Sequence, residues 1–376
     1  MRRLALAVAL AAVLPAMAQA QDTPLPAPRP ETGTPPANPI DRAFEATQPQ
    51  PPPAEPALPA DPPPPADGRP VDRAFAAYQQ GFYYLATQEA LRRVGEDPAD
   101  AAAMTLLGEI YRQGLGVPTD MAEAAEWYGL AAERGDPAAM VQLALLHIDG
   151  QGVKEDAERA RQLFEKAAAA GDATAHYNLG LMDISGARLD EAAALAHFRA
   201  AADRGSADGQ YALATFLAEG RGVEADAEGA AKWLRAASDQ GHTIATIELA
   251  LAVLNGRGTP KDEAAAVQLF EKAAAADNPI AQNRLARIYA AGIGVAPDPV
   301  RAIAWHMVAR ARGRADPWLD QYVAAQPEDI AARGAAVARR WQGLEAYAST
   351  GGALDATAPS GQVTGRPTNR TAPQPR

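Results

Sequence analysis

From about residue 71 to residue 348 the apolar positions follow a helical period, in stretches of about a dozen residues separated by short glycine-bearing segments. One such segment, YRQGLGVPTD at 111, has five relatives: HIDGQGVKED at 147, DISGARLD at 183, LAEGRGVEAD at 217, VLNGRGTPKD at 253 and YAAGIGVAPD at 289. Their spacings of 36, 36, 34, 36 and 36 residues mark an internal repeat. A cofactor loop occurs once per site, whereas six evenly spaced copies are architecture.

The same unit surrounds each copy. Upstream, the pattern predicts a helix A carrying a leucine in every repeat (Leu107, Leu143, Leu179, Leu213, Leu249, Leu285), followed by a small residue that lets a neighbouring helix approach. Helix A is expected to end at Gly114, Gly150, Gly186, Gly220, Gly256 or Gly292, where a left-handed cap favours glycine. An aspartate then opens helix B as its N-cap: Asp120, Asp156, Asp190, Asp226, Asp262 and Asp298. Helix B carries bulky apolar residues such as Trp127, Tyr128, Phe164, Phe198, Trp233, Phe270 and Trp305, and ends at a glycine in every repeat but the fifth, where Asp277-Asn278 stands and Asn278 is expected to take the glycine's conformation. Two helices of this length cannot bury their apolar faces alone, so the units must stack into an all-α solenoid of antiparallel helix pairs. The six repeats read as 101–136, 137–172, 173–206, 207–242, 243–278 and 279–314. An incomplete unit over 71–100 caps the start, and helices over 315–348, with Ile330, Val337, Trp341 and Leu344 on one face, cap the end. DISGARLD lacks two residues and the second glycine of its relatives, which predicts a local change of superhelix pitch between repeats three and four.

Composition removes the flanks from the fold. Residues 1–20, with Arg2-Arg3, an apolar run of about 13 residues and Ala18-Gln19-Ala20, read as a secretory signal cleaved near Ala20. Residues 21–70 hold 18 of the 32 prolines and read as an extended, disordered linker, in which DRAFEATQ at 41 echoes DRAFAAYQ at 72. Residues 349–376 read as a disordered tail. No later stretch is long enough and apolar enough to span a membrane, so a periplasmic or secreted location is expected. Without cysteine the fold must hold by packing alone. The mature chain has 33 basic against 46 acidic residues, a formal charge of −13, which argues against nucleic acid as a partner.

Candidate chemistry is sparse. The glycine segments lack the lysine and hydroxyl residue of a phosphate loop and lie between helices. His147, His176, His197, His242 and His306 never fall at metal-ligand spacing, and His147, His197 and His306 occupy slots that other repeats fill with apolar or aromatic residues. No G-x-S-x-G or S-x-x-K occurs, and most carboxylates are caps or solvent-facing. We therefore expect no catalytic residue, no metal site and no cofactor.

The segment AMTLLGEIYRQGLGVPTDMAEAAEWY carries almost the whole of the pattern A-x-x-x-L-G-x-x-Y-x-x-G-x-G-V-x-x-D-x-x-x-A-x-x-W, and in this the chain resembles the Sel-one-like repeat family of the tetratricopeptide-like superfamily, over about 101–314. The resemblance implies a right-handed superhelix that binds other proteins, in bacterial envelopes often as an adaptor or regulator. By the same analogy, A-helix side chains two and five residues before and after the leucine face a concave groove. These are Thr105, Glu109 and Arg112, then Val141, Leu145 and Ile148, then Tyr177, Leu181 and Ile184, then Tyr211 and Thr215, then Ile244, Ile247, Leu251 and Leu254, and finally Asn283 and Arg287. The groove would be apolar in its middle and polar at its ends, suited to an apolar or amphipathic segment of another envelope or secreted protein. The alternative is that these residues only pack helix A on the next repeat. A cysteine-rich branch of the family is linked to β-lactam hydrolysis, which leaves an enzyme acting on β-lactams or wall fragments as a second class; the absence of cysteine weakens that transfer. A structural protein associated with the cell wall is the third.

Overall fold

The computed structural model describes residues 72–185 and 189–349, with side chains through 342. The expected signal, linker, DRAFEATQ echo, the tail beyond 349, Gly186 and the Leu344 side chain lie outside the described residues. Those described form sixteen helices and no strand. None of these helices is long and apolar enough to cross a membrane.

An opening pair, α1 (Arg73–Gln79) and α2 (Tyr83–Glu96), leads into six helix pairs. They are α3 (Ala101–Gln113) with α4 (Met121–Glu133), α5 (Pro137–Asp149) with α6 (Ala157–Ala169), and α7 (Ala173–Ile184) with α8 (Glu191–Asp203). Then follow α9 (Ala207–Glu219) with α10 (Ala227–Asp239), α11 (Thr243–Asn255) with α12 (Glu263–Ala275), and α13 (Pro279–Ala291) with α14 (Pro299–Ala311). The closing helices are α15 (Pro317–Ala324) and α16 (Glu328–Ser349). Each helix packs chiefly on its neighbours in sequence, first within a pair and then on the next pair, so the molecule is an α-solenoid. The six A-helix leucines are all buried, as are Trp127, Tyr128, Phe164, Phe198 and Phe270 on the B helices, each contributing about 1.5–3 kcal/mol by burial. The small residue after the leucine serves the B helix of its own pair: a Cβ at Gly108 would stand 2.6 Å from the Tyr128 ring, and one at Gly180 2.5 Å from Phe198.

All six aspartates expected to open the B helices do so, each accepting from backbone N–H groups of the first turn. Helix A ends in a left-handed glycine at Gly114, Gly150, Gly220, Gly256 and Gly292. Helix α7 differs, ending at Ile184 with Ser185 extended. The second glycine, which every joint but the third possesses, has a separate cause. At Gly258 (φ 68) an added Cβ would strike the Ala227 carbonyl, so the joint rests directly on the first turn of the preceding B helix. In the fifth repeat it is Asp277, at φ 61, that takes the left-handed conformation; Asn278 instead is extended and N-caps α13. The glycine-equivalent slot is the earlier one, and the asparagine is freed to use its side chain as a cap.

Both ends are tied down by charge. Arg93 on α2 bonds Asp72, the N-cap of α1, at 2.6 Å and Asp100, the N-cap of α3, at 2.8 Å. At the other end the buried Asp316 caps α15 and accepts from Asn283 Nδ2 at 2.9 Å and from Arg287 Nε and Nη2 at 2.7 Å each. His306 fills the aromatic slot of α14 and reaches Asp320 on α15 at 2.8 Å, while Trp305 packs on Trp341 of α16 with centroids 4.5 Å apart. At the shortened third joint, α7 and α9 touch directly, more extensively than any other two successive A helices among the described residues.

Candidate functional site

The A helices present one row of side chains per helical turn, and the rows differ in what they do. The row two residues before the leucine reaches toward the N-cap of the next A helix. Thr105 donates to the Asp136 carboxylate, Tyr211 stacks on His242 with centroids 4.7 Å apart, and Asn283 bonds Asp316. Val141, Tyr177 and Ile247 in this row are buried, at 3, 7 and 4% exposure, so they serve the inter-repeat joint at least as much as any surface. The rows further along remain half-open: Leu145 and Ile148 on α5, Leu181 and Ile184 on α7, Thr215 on α9, Leu251 and Leu254 on α11, with Ile244 at the head of α11. Arg287 is half-exposed and held by Asp316, and at the first repeat Glu109 is taken up by Arg112 at 2.6 Å and by the Tyr128 hydroxyl at 2.7 Å. The face is therefore apolar through repeats two, three and five and internally neutralised at its ends.

Sequence reasoning missed several members of this face. His242 sits where other repeats place Asp, Asn or Ser before helix A, and its Nδ1 accepts from Ala245 N at 3.0 Å as the N-cap of α11. That fixes the tautomer: Nε2 carries the proton and points at Asp208, 3.4 Å away, and this imidazole lowers the Asp208 carboxyl from its usual range. The G-D, G-S, G-H and D-N pairs closing the first five repeats were the signal for this second ring of caps. On α15 an exposed Trp318 stacks on Tyr322 with centroids 5.7 Å apart and lies under the Arg287 guanidinium at 5.1 Å, continuing the row of Ile244 and Ile280.

The remaining histidines are spoken for by packing. His147 Nδ1 lies 3.1 Å from the Lys154 carbonyl. His176 and His197 approach through Nδ1 atoms 3.3 Å apart, beside a buried Asp183 that pairs with Arg161 at 2.9 Å. Burial, and then the charges of Arg204 and His197, hold the His176 imidazole below its usual range. Tyr177 and Tyr211 lose hydration on the A face; both phenols are raised, that of Tyr211 to about 12.

Comparison with known proteins agrees with this geometry. The Sel1 repeat family matches at residues 101–136, 137–172, 173–206, 207–242, 243–278 and 279–306. Among solved structures, a Sel1 repeat protein from Oxalobacter formigenes is 25% identical, aligned over 69% of this chain and all of that one, with a TM-score of 0.55. The protective antigen c5321 of uropathogenic Escherichia coli strains is 25% identical over 77% of this chain and 72% of its own, with a TM-score of 0.42. A putative Sel1 repeat protein from Klebsiella pneumoniae is also 25% identical, over 50% of this chain and 93% of that one, with a TM-score of 0.35. No protein among the curated ones matches. Repeat scaffolds of this kind generally mediate protein–protein interaction and are generally non-catalytic. With six matched repeats covering more than half its length, the chain belongs to the Sel1 repeat family.

Proposed function

We propose that this chain is a non-enzymatic periplasmic scaffold or regulator that binds an envelope protein or peptide along its A-helix groove. The observation that supports the reading is the half-open apolar row Leu145, Leu181 and Leu251, which the solenoid's own packing covers only in part and which Thr215 interrupts in the fourth repeat. The leader pattern at 1–20 supports export, and the family's general role supports a protein partner. Crosslinking pull-downs from periplasm with the wild-type chain and with Leu181→Asp/Leu251→Asp test it. The expected result is a defined partner captured by the wild type and lost from a variant that retains its helical spectrum. Equal recovery of the same proteins by both would refute groove binding.

A further inference from the structure

The closing turn of the solenoid exposes more aromatic surface than a cap needs. Trp318, in the first turn of α15, is 45% exposed although Leu319 beside it is fully buried. Its ring is held in place: Tyr322, one turn on, stacks on it with centroids 5.7 Å apart and 15° between the planes, and the Arg287 guanidinium lies over it at 5.1 Å. Asp316 already neutralises that guanidinium through two bonds of 2.7 Å, so the shelf is aromatic rather than charged. Neither the Trp318 indole N–H nor the Tyr322 hydroxyl hydrogen-bonds any group among the described residues. An indole offers a donor and no acceptor, so the ligand that suits this shelf brings carbonyl groups and flat apolar surface.

The same chain holds such a ligand. Pro53, Pro56, Pro59, Pro62 and Pro65 keep an unbroken register of one proline in every third position, and a polyproline II helix has three residues per turn. In that conformation the five prolines form one edge, Ala54, Ala57 and Ala60 a second, and Glu55, Leu58 and Asp61 a third. Proline has no N–H, so the backbone of this stretch is rich in acceptors and poor in donors, the complement of the shelf. Its φ angles are fixed by the rings before binding, so less conformational entropy is lost on docking. Aromatic grooves that take polyproline II segments exploit these same properties.

We infer that residues 53–65 of one chain dock as a polyproline II helix on the Trp318 and Tyr322 shelf of a second copy, with the proline edge on the rings and the Trp318 N–H donating to a backbone carbonyl. Reach selects a second copy over the same chain. Residues 66–71 span at most about 25 Å, whereas α15 lies seven pair-to-pair steps along the stack from α1, each about 8–10 Å. The contact is independent of the groove reading, because Leu145, Leu181 and Leu251 take no part in the shelf.

Sedimentation velocity of the full mature chain over a concentration series tests this, with two variants that each remove one half of the contact. Trp318→Ser removes the shelf; Pro56→Ser/Pro59→Ser/Pro62→Ser breaks the proline edge at positions outside the solenoid. The expected result is a wild-type sedimentation coefficient that rises with concentration, and association about tenfold weaker or more in either variant. Mixing the two variants should restore association as far as a heterodimer, since one supplies the segment and the other the shelf. Leu251→Asp should associate as the wild type does. A wild-type chain that stays monomeric to its solubility limit, either variant associating as the wild type does, or mixed variants that fail to pair would each overturn the inference, and none of these results touches groove binding.

Discussion

Asp316 combines three tasks in one carboxylate: it caps α15, receives both guanidinium nitrogens of Arg287 and accepts from Asn283. Hydrogen bonds from Arg287 hold the Asp316 carboxyl well below the usual carboxylate range, outweighing the loss of hydration. Its stabilising effect is therefore complete above the unfolded aspartate value of about 3.9 and is lost as pH falls through that range toward the folded value. Replacing it by alanine leaves Arg287 without its partner and α15 without its cap; the expected cost is about 3 kcal/mol, read from urea melts. Thermal melts of Asp316→Asn below about pH 4 should lose the acid sensitivity that the wild type retains. His176 works in the same direction at higher pH. Its imidazole is depressed by burial, by Arg204 and by His197, against the pull of Asp172, so protonation is disfavoured in the folded state. The stability linked to it is present above the unfolded histidine value of about 6.5 and declines as pH falls through the folded value, so a melting-temperature profile over that range should be flatter for His176→Gln than for the wild type.

At the scale of the element, the joint decides how pairs stack. Gly258→Ala places a Cβ on the Ala227 carbonyl in a left-handed backbone, and should cost about 2 kcal/mol or more in equilibrium melts; Gly241→Ala, which is left-handed but open, should cost less. The shortened third joint brings α7 and α9 together, and lengthening it by the two residues its relatives possess should separate those helices in a crystal structure of the variant. These joints were legible in the sequence because their causes are local: a glycine at a left-handed cap, an aspartate three residues before the N–H it accepts. What was not legible depends on contacts a full repeat away. The Tyr211 stack on His242 spans 31 residues, and the Asn283 bond to Asp316 spans 33, so neither leaves a periodic mark. Asp277 was misread because aspartate and asparagine both tolerate positive φ, and only the register of the preceding glycines separates the two slots. The Trp318 row escaped because α15 follows a longer spacing than the six repeats.

Across the whole solenoid, helices touch mainly their sequence neighbours, so stability is a sum of pair and interface contributions and is lowest where a neighbour is missing. Hydrogen exchange should therefore be slowest in α5 through α12 and fastest at α1 and at the end of α16, with Arg93→Ala speeding exchange in α1 and α2 but not beyond α4. The same architecture repeats the half-open apolar row in the second, third and fifth repeats, with Thr215 interrupting it in the fourth. The most direct measurement is site-specific photocrosslinking in the intact periplasm, with the crosslinker placed at Leu181 or Leu251 on the A face or at Glu165 on the opposite exposed side of α6. Groove binding predicts one shared adduct from positions 181 and 251 and none from 165. An adduct from 165 alone, or the same adduct from all three, would contradict it.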